Sequence, residues 1–136
     1  MPVESDEELR EILNLETIAV VGCSATPGKE AHGVPKFMHE QGYEIIPVNP
    51  YADEVFGVEA YDSLSEVKEK IDIVNVFRPS EEVSEIVDEA IERDDVKVVW
   101  TQLGIRDSEA GERVEAAGKK YVESHCLKVE YGRLMT

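Results

Sequence analysis

Apolar residues recur along this chain in two alternating patterns, short continuous runs and longer stretches with helical spacing. The runs are apolar at successive positions, so both faces of the corresponding strands must be buried, as is typical of a parallel sheet covered on both sides. Proline, glycine and polar residues interrupt the pattern between them. We predict five strands, within residues 18–21, 43–50, 71–77, 96–100 and 121–124.

Helical spacing separates these runs. Leu9, Ile12 and Leu13 share one face of a helix predicted over Asp6–Leu13, with Ser5 as its N-cap. The other predicted helices are bounded by residues that commonly cap helices or end them. They are a helix over 33–41 before Gly42, a short helix after Asp62 or Ser63, a helix capped by Ser80, and a helix opened by Asp107 or Ser108 that ends near Gly118.

The alternation of strands and helices predicts βαβ units and therefore a parallel sheet with helices on both faces. We expect one α/β domain over residues 1–136, a Rossmann-like doubly wound fold with five parallel strands, in which residues 1–16 supply an N-terminal helix and a lead-in. Such sheets bind ligands outside the carboxyl ends of their strands, where the strand order reverses. The residues that follow each strand are therefore the candidates for a site.

Charge restricts the ligands. The chain has 30 acidic and 14 basic side chains, a formal net charge of −16. Nucleic acids and anionic membranes bind through Lys and Arg, so we expect neither as a partner. The acidic residues are spread along the whole chain, which favours a solvated surface of the halophilic kind. The alternative is an acidic face that binds a basic partner.

The remaining composition predicts a cytoplasmic protein. No apolar run approaches the roughly 20 residues that cross a bilayer, and the acidic N-terminus lacks the pattern of a secretory signal. Cys23 and Cys126 form no CxxC pair and are too few for a disulfide framework, so we expect reduced thiols. No cluster of His, Cys and carboxylates has metal-ligand spacing, and we predict no metal site.

The loop "GCSATPG" follows the first strand and has the features of a phosphate site. Gly22 permits a tight turn, and the hydroxyls of Ser24 and Thr26 supply hydrogen-bond donors. Lys29 and His32 are the candidates for positive charge near this loop in a strongly negative protein. The alternative is a tight strand-to-helix turn that binds nothing.

The same loop departs from the dinucleotide-binding fingerprint. Ser24 and Pro27 stand where the second and third glycines of G-x-G-x-x-G belong. The second strand ends in Asn49 and Pro50, with no carboxylate to hold ribose hydroxyls. NAD is therefore disfavoured as the ligand.

Two further strand ends supply candidate contacts. Arg78 follows the third strand, where it either contacts a ligand or forms a salt bridge with a neighbouring glutamate. The fourth strand places Trp100 in the core rather than on a stacking surface. Gln102 and Gly104 follow it at the rim, where an amide and an open backbone suit ligand binding.

Five segments in order resemble the stand-alone CoA-binding domain family. They are "IAVVGCSATPGKEAHGV", "GYEIIPVNP", "VNVFRPSEEV", "VVWTQLGI" and "ESHCLKVEY", and together they cover about residues 9–131. Proteins of that family are single Rossmann-like domains similar to the N-terminal CoA-binding domain of the succinyl-CoA synthetase alpha subunit.

The resemblance implies a coenzyme A site. The first loop would hold the phosphates. Phe77, Arg78 and Pro79 would lie by the nucleotide end, and Gln102, Leu103 and Gly104 would close the rim towards the pantetheine arm. The implied set is Gly22, Cys23, Ser24, Thr26, Lys29, His32, Asn49, Pro50, Phe77, Arg78, Pro79, Gln102 and Gly104. The resemblance implies no catalytic group.

We therefore expect a small module that binds coenzyme A or an acyl-CoA without turnover, as a carrier, a sensor or the partner of a larger enzyme. A homo-oligomer and a partner enzyme are both compatible with this expectation. The alternative is a thioester-processing or redox-linked nucleotide-binding enzyme that uses Cys23 or Cys126. Cys23 lies beside a predicted helix N-terminus, which predicts a lowered pKa. A small buried residue in a tight turn is the favoured interpretation of Cys23.

Overall fold

A computed structural model describes residues 2–135 and arranges five parallel strands in one sheet, with a separate two-stranded hairpin. The strands are β1 (Thr17–Val21), β2 (Glu44–Val48), β3 (Glu54–Val55), β4 (Val58–Glu59), β5 (Ile73–Val76), β6 (Val98–Thr101) and β7 (Lys120–Val122). The order across the main sheet is β2-β1-β5-β6-β7, and β3 pairs antiparallel with β4. All five predicted strands are present.

Helices cover both faces of the sheet. They are α1 (Asp6–Leu13), α2 (Glu30–Glu40), α3 (Val83–Ile91), α4 (Ser108–Ala116) and α5 (Leu127–Leu134). α1, α2 and α5 contribute buried residues to one core layer, and α3 and α4 contribute them to the other. The predicted α/β Rossmann-like fold is confirmed. Within residues 2–135, no helix combines the length and the apolar character needed to cross a membrane.

The alternation of side chains along the strands explains the two core layers. Val20 and Trp100 face the layer formed with α1, α2 and α5, whereas Ala19 and Val99 face the opposite layer. Trp100 is completely buried, and its indole Nε1–H donates to the carbonyl of His125 at 2.7 Å. Trp100 is therefore a core residue, as predicted.

Helix starts agree with the sequence where a side chain caps the helix. Ser5 accepts a hydrogen bond from the N–H of Glu8, and Asp107 accepts one from Ala110. Ser80 is not a cap. It begins a short 3₁₀ helix over Ser80–Glu82 that precedes α3, and its hydroxyl accepts from the N–H of Arg106.

Three elements differ from the sequence-based prediction. α2 begins at Glu30, three residues before the predicted start. α5 was not predicted, although Leu127, Tyr131 and Leu134 have helical spacing. The hairpin β3–β4 has strands of two residues, too short for any periodicity to show. Its turn uses positive φ angles at Phe56 (54°) and Gly57 (74°), the backbone that two-residue hairpin turns require.

The guanidinium of Arg93 holds the segment before β5 in place. It donates to the backbone carbonyls of Leu64 at 3.1 Å, Val67 at 2.8 Å and Glu69 at 3.0 Å. It also forms two hydrogen bonds with the carboxylate of Asp95, at 3.0 and 2.8 Å. Three backbone acceptors of one loop therefore depend on a single side chain that follows α3.

Acidification should remove part of the stability that the Arg93–Asp95 pair contributes. The hydrogen bonds from Arg93 lower the pKa of Asp95 from 3.8 to about 2. Because the pKa is lower in the folded state, this contribution is complete above about pH 4 and is lost as the pH falls towards about 2. We expect Asp95→Asn to lower the free energy of unfolding by about 1–2 kcal/mol at neutral pH.

Urea unfolding at a series of pH values measures this effect. Asp95→Asn should also flatten the loss of stability between about pH 4 and about pH 2. Asp94→Asn is the matched control, since it removes the same charge from an exposed neighbouring side chain. Equal effects of the two variants would contradict a specific contribution of the pair.

Candidate functional site

A cleft opens where the strand order of the sheet reverses. β1 is the first strand, β2 pairs on one side of it, and the chain then crosses over so that β5 pairs on the other side. The cleft has a volume of about 520 Å³ and lies at the carboxyl ends of these three strands. Seven of the predicted site residues line it: Gly22, Ser24, Lys29, Asn49, Pro50, Phe77 and Arg78.

Gly22 turns the chain out of β1 and brings the loop close to the end of β5. Its φ of +92° lies in the left-handed region that favours glycine, and its N–H donates to the carbonyl of Val48 at 2.8 Å. A Cβ at this position would lie 2.8 Å from Cδ of Arg78 and 3.0 Å from the carbonyl oxygen of Phe77. The absence of a side chain therefore allows the Arg78 side chain to pack on the loop.

The loop after Gly22 is fixed by hydrogen bonds. The N–H of Ser24 donates to the carbonyl of Ala31 at 2.9 Å, and the Ser24 hydroxyl accepts from the N–H of Thr26 at 3.0 Å. The Asn49 side chain donates from Nδ2 to the carbonyl of Cys23 at 2.8 Å. Asn49 thus ties the loop after β1 to the end of β2.

The N-terminus of α2 opens into the same cleft. Lys29 occupies the N-cap position, no side chain caps the helix, and Lys29 and Ala31 line the cleft. The N–H groups of a first helical turn, together with the helix dipole, favour negative charge. The cleft therefore combines a helix N-terminus with the ammonium of Lys29, which is a suitable environment for a phosphate.

Arg78 forms an ion pair on the cleft wall. Its Nε and Nη2 donate to the two carboxylate oxygens of Glu82 at 3.1 and 2.8 Å. These hydrogen bonds raise the pKa of Arg78 and lower that of Glu82. Both side chains are about half exposed, 46% and 41%. The salt bridge to a neighbouring glutamate is thus present, and it lies within the cleft.

The cleft lining carries more acid than base. Lys29 and Arg78 stand against four carboxylates, those of Asp62, Glu82, Glu85 and Glu89. Glu82 is paired with Arg78, and Glu89 accepts from the N–H of Ser65 at 3.0 Å. The two basic side chains of the lining are therefore outnumbered, and one of them is already paired with a carboxylate.

Four predicted site residues are near the cleft without lining it. Cys23 is completely buried beneath the loop, and the side chain of Thr26 is exposed. The ring of His32 packs against the ring of Phe56, with the centroids 4.9 Å apart. Pro79 is exposed at the start of the 3₁₀ helix.

Gln102 and Gly104 lie outside the cleft lining. The Gln102 carboxamide is buried, and its Oε1 accepts from Nδ2 of Asn75 at 3.2 Å and from the N–H of Leu127 at 3.0 Å. The N–H of Gly104 donates to the hydroxyl of Ser124 at 2.9 Å. Gln102 therefore joins β5, β6 and the start of α5, so its side-chain oxygen is engaged within the protein.

The cysteines differ in their surroundings. Burial raises the pKa of the Cys23 thiol to about 12, so the lowered pKa predicted from the nearby helix N-terminus is wrong. The interpretation of Cys23 as a small buried residue in a tight turn is confirmed. Cys126 is a half-buried free thiol at the start of α5, and no hydrogen bond links its side chain to that of His125 in residues 2–135.

The described part of the chain offers no candidate metal centre. Among residues 2–135, no three His, Cys, Asp or Glu residues form a group that could hold a metal ion.

Sequence reasoning missed part of the lining. Tyr51 directly follows the predicted end of the second strand at Pro50, so its position was available as a signal. The sequence did not indicate that residues 62–64 and α3 line the cleft, because these residues do not directly follow a strand of the main sheet.

Gly22→Ala should destabilise the protein more than Gly28→Ala. Both glycines have positive φ angles, +92° and +95°, so alanine carries a backbone penalty of about 1–2 kcal/mol at either position. Only Gly22 has atoms within 4 Å of the added Cβ, those of Phe77 and Arg78. Urea unfolding of both variants measures the difference, and an equal loss of stability would contradict the packing of Arg78 on the loop.

Known proteins of similar length match almost the whole chain. The uncharacterized protein YneT of Bacillus subtilis (strain 168) is 44% identical over 128 residues, which is 93% of this chain and 94% of YneT. The solved structure of a hypothetical protein from Pyrococcus horikoshii OT3 superimposes with a TM-score of 0.94 at 36% identity, covering 100% of this chain and 97% of that one.

A longer relative matches over part of its length. The ADP-forming acetate–CoA ligase of Methanocaldococcus jannaschii is 32% identical over 84 residues, which is 62% of this chain. The matched region is only 12% of the ligase. The family described as "CoA binding domain" matches residues 16–132, nearly the full extent of the fold. The chain therefore belongs to the family of CoA binding domains.

Proposed function

We propose that this protein binds coenzyme A or an acyl-CoA as a small module with no turnover of its own, serving as a carrier, a sensor or the partner of a larger enzyme. Membership of the CoA binding domain family supports the ligand class. The observation that carries the proposal is the meeting of Ser24, Asn49 and Arg78, from three strand ends, in one cleft at the reversal of strand order.

The hydrogen-bond donors of the cleft fit the phosphates of coenzyme A. The uncapped N-terminus of α2 offers backbone N–H groups, Lys29 adds a positive charge, and Ser24 adds a hydroxyl. Arg78 presents a planar guanidinium, which binds phosphate oxygens through two parallel hydrogen bonds. These donors come from one loop and one neighbouring strand end, so they can act on a single phosphate-rich group.

The carboxylates of the cleft fit the uncharged parts of the same ligand. Asp62 and Glu85 can accept hydrogen bonds from the hydroxyl and amide groups of the pantetheine arm or from a ribose hydroxyl. Glu82 has a different role, because it already occupies the guanidinium that a phosphate would bind. A phosphate therefore competes with Glu82 for Arg78.

The cysteine environments favour binding over catalysis. A nucleophilic cysteine reacts as the thiolate, and the pKa of about 12 keeps the buried Cys23 protonated at neutral pH. Mixing the protein with acyl-CoA and measuring free thiol tests this part of the proposal. Steady thiol release that disappears in Cys126→Ser or Cys23→Ser would contradict it.

Calorimetric titration with coenzyme A, acetyl-CoA, NAD and ATP tests the ligand, and Arg78→Ala tests the site. We expect coenzyme A to bind more tightly than NAD, and Arg78→Ala to weaken it about tenfold or more, as expected for hydrogen bonds to a charged group. The free energy of unfolding should change by less than about 1 kcal/mol, because the ion pair with Glu82 is exposed.

The titrations should be run at high ionic strength, which screens the repulsion between an anionic ligand and a chain of net charge −16. Binding of NAD without binding of coenzyme A would overturn the proposal. An unchanged affinity in Arg78→Ala would assign Arg78 to the salt bridge alone.

Glu82→Gln should strengthen the binding of coenzyme A. The substitution removes the carboxylate that holds Arg78, so the guanidinium becomes available to a phosphate. Glu81→Gln is the matched control, since it changes the net charge equally at an exposed neighbouring position outside the cleft lining. If both variants raise the affinity equally, the effect is one of overall charge and competition at Arg78 is excluded.

A further inference from the structure

Tyr51 is an exposed aromatic residue at the mouth of the cleft. Of its surface, 94% is exposed, compared with 71% for Leu103 and 59% for Val129, the other large exposed apolar residues of the described chain. Tyr51 lines the cleft, whereas Leu103 and Val129 do not. Within residues 2–135, no aromatic ring packs against the Tyr51 ring. A large planar surface is thus presented to solvent beside a binding cleft.

The backbone of Tyr51 is held in place by the residues of the site. Its N–H donates to Oδ1 of Asn49 at 2.8 Å, and the same Asn49 side chain donates to the carbonyl of Cys23. Pro50 precedes it and restricts the chain further. The attachment point of the ring is therefore fixed relative to the loop after β1.

Arg78 lines the same cleft as Tyr51. Planar heterocyclic bases bind proteins by stacking on aromatic rings and on guanidinium planes. The pantetheine arm of coenzyme A is a flexible chain without a planar face, whereas its adenine is planar. Of the parts of coenzyme A, adenine is thus the one that an open aromatic surface recognises.

We propose that Tyr51 is the stacking platform for the adenine base of the bound nucleotide and determines the preference for coenzyme A over its adenine-free fragment. This assignment rests on the proposed function, since it places one part of coenzyme A in the cleft. The base lies on the Tyr51 ring, and the adjoining phosphates reach Arg78 and the N-terminus of α2.

Titration of two ligands against three variants tests the assignment. The ligands are coenzyme A and 4′-phosphopantetheine, which lacks the adenosine. Tyr51→Ala should weaken coenzyme A about fivefold or more, which is the usual effect of removing one base-stacking ring. The same variant should leave the affinity for 4′-phosphopantetheine unchanged. Tyr51→Phe should retain the wild-type affinity for both ligands, because stacking requires the ring and not the hydroxyl.

Val129→Ala is the control for loss of an exposed apolar side chain outside the cleft, and it should alter neither affinity. Proton NMR gives a second readout, since stacking on tyrosine shifts the adenine ring protons upfield and Tyr51→Ala should abolish the shift. Wild-type binding of coenzyme A that Tyr51→Ala leaves intact would overturn the stacking assignment alone. Equal weakening of both ligands would overturn it as well. Failure of the wild type to bind coenzyme A would overturn the proposed function and the assignment together.

Discussion

The parallel pairing of β1 with a strand on each side is the constraint on which the site depends. Val21 is in register with Val48 of β2 and with Val76 of β5, so the three strands end at the same level of the sheet. The residues that follow these valines leave the sheet side by side and enclose the cleft. Three segments that are distant in sequence thereby contribute to one site. A shift of register in either pairing would separate them.

Much of the fold follows from patterns that are local in the sequence. The apolar runs predicted all five strands of the main sheet, because strands buried on both faces are predominantly apolar, with few polar exceptions such as Asn75 of β5. The short hairpin and α5 were missed, since two-residue strands carry no periodicity and the final helix has no capping side chain. The site residues after β1, β2 and β5 were also predicted, because the apolar runs locate the strand ends that these residues follow. The packing of the 3₁₀ helix, which supplies Glu82, and of α3, which supplies Glu85 and Glu89, left no local signal in the sequence.

The positive groups in the cleft differ in sign from the net charge of the whole molecule, and they act only over short distances. A net charge of −16 repels anions at long range, but screening by salt limits that repulsion to about 10 Å or less. The cleft nevertheless contains the uncapped N-terminus of α2 and the side chains of Lys29 and Arg78, which are suited to short-range hydrogen bonds with an anion. Glu82 balances one of these charges when no ligand competes for it. The proposed anion site therefore requires no basic surface on the rest of the protein.

Arg93 contributes to the shape of the cleft through its hydrogen bonds to three backbone carbonyls. Leu64, one of these acceptors, lines the cleft beside Asp62 and Ser63, whereas Arg93 itself does not. The shape of that wall consequently depends on a side chain outside the cleft lining. A substitution of Arg93 would then lower ligand affinity as a substitution within the cleft does. A measurement of folding stability would be needed to show that the cause is a less rigid wall at residues 62–64.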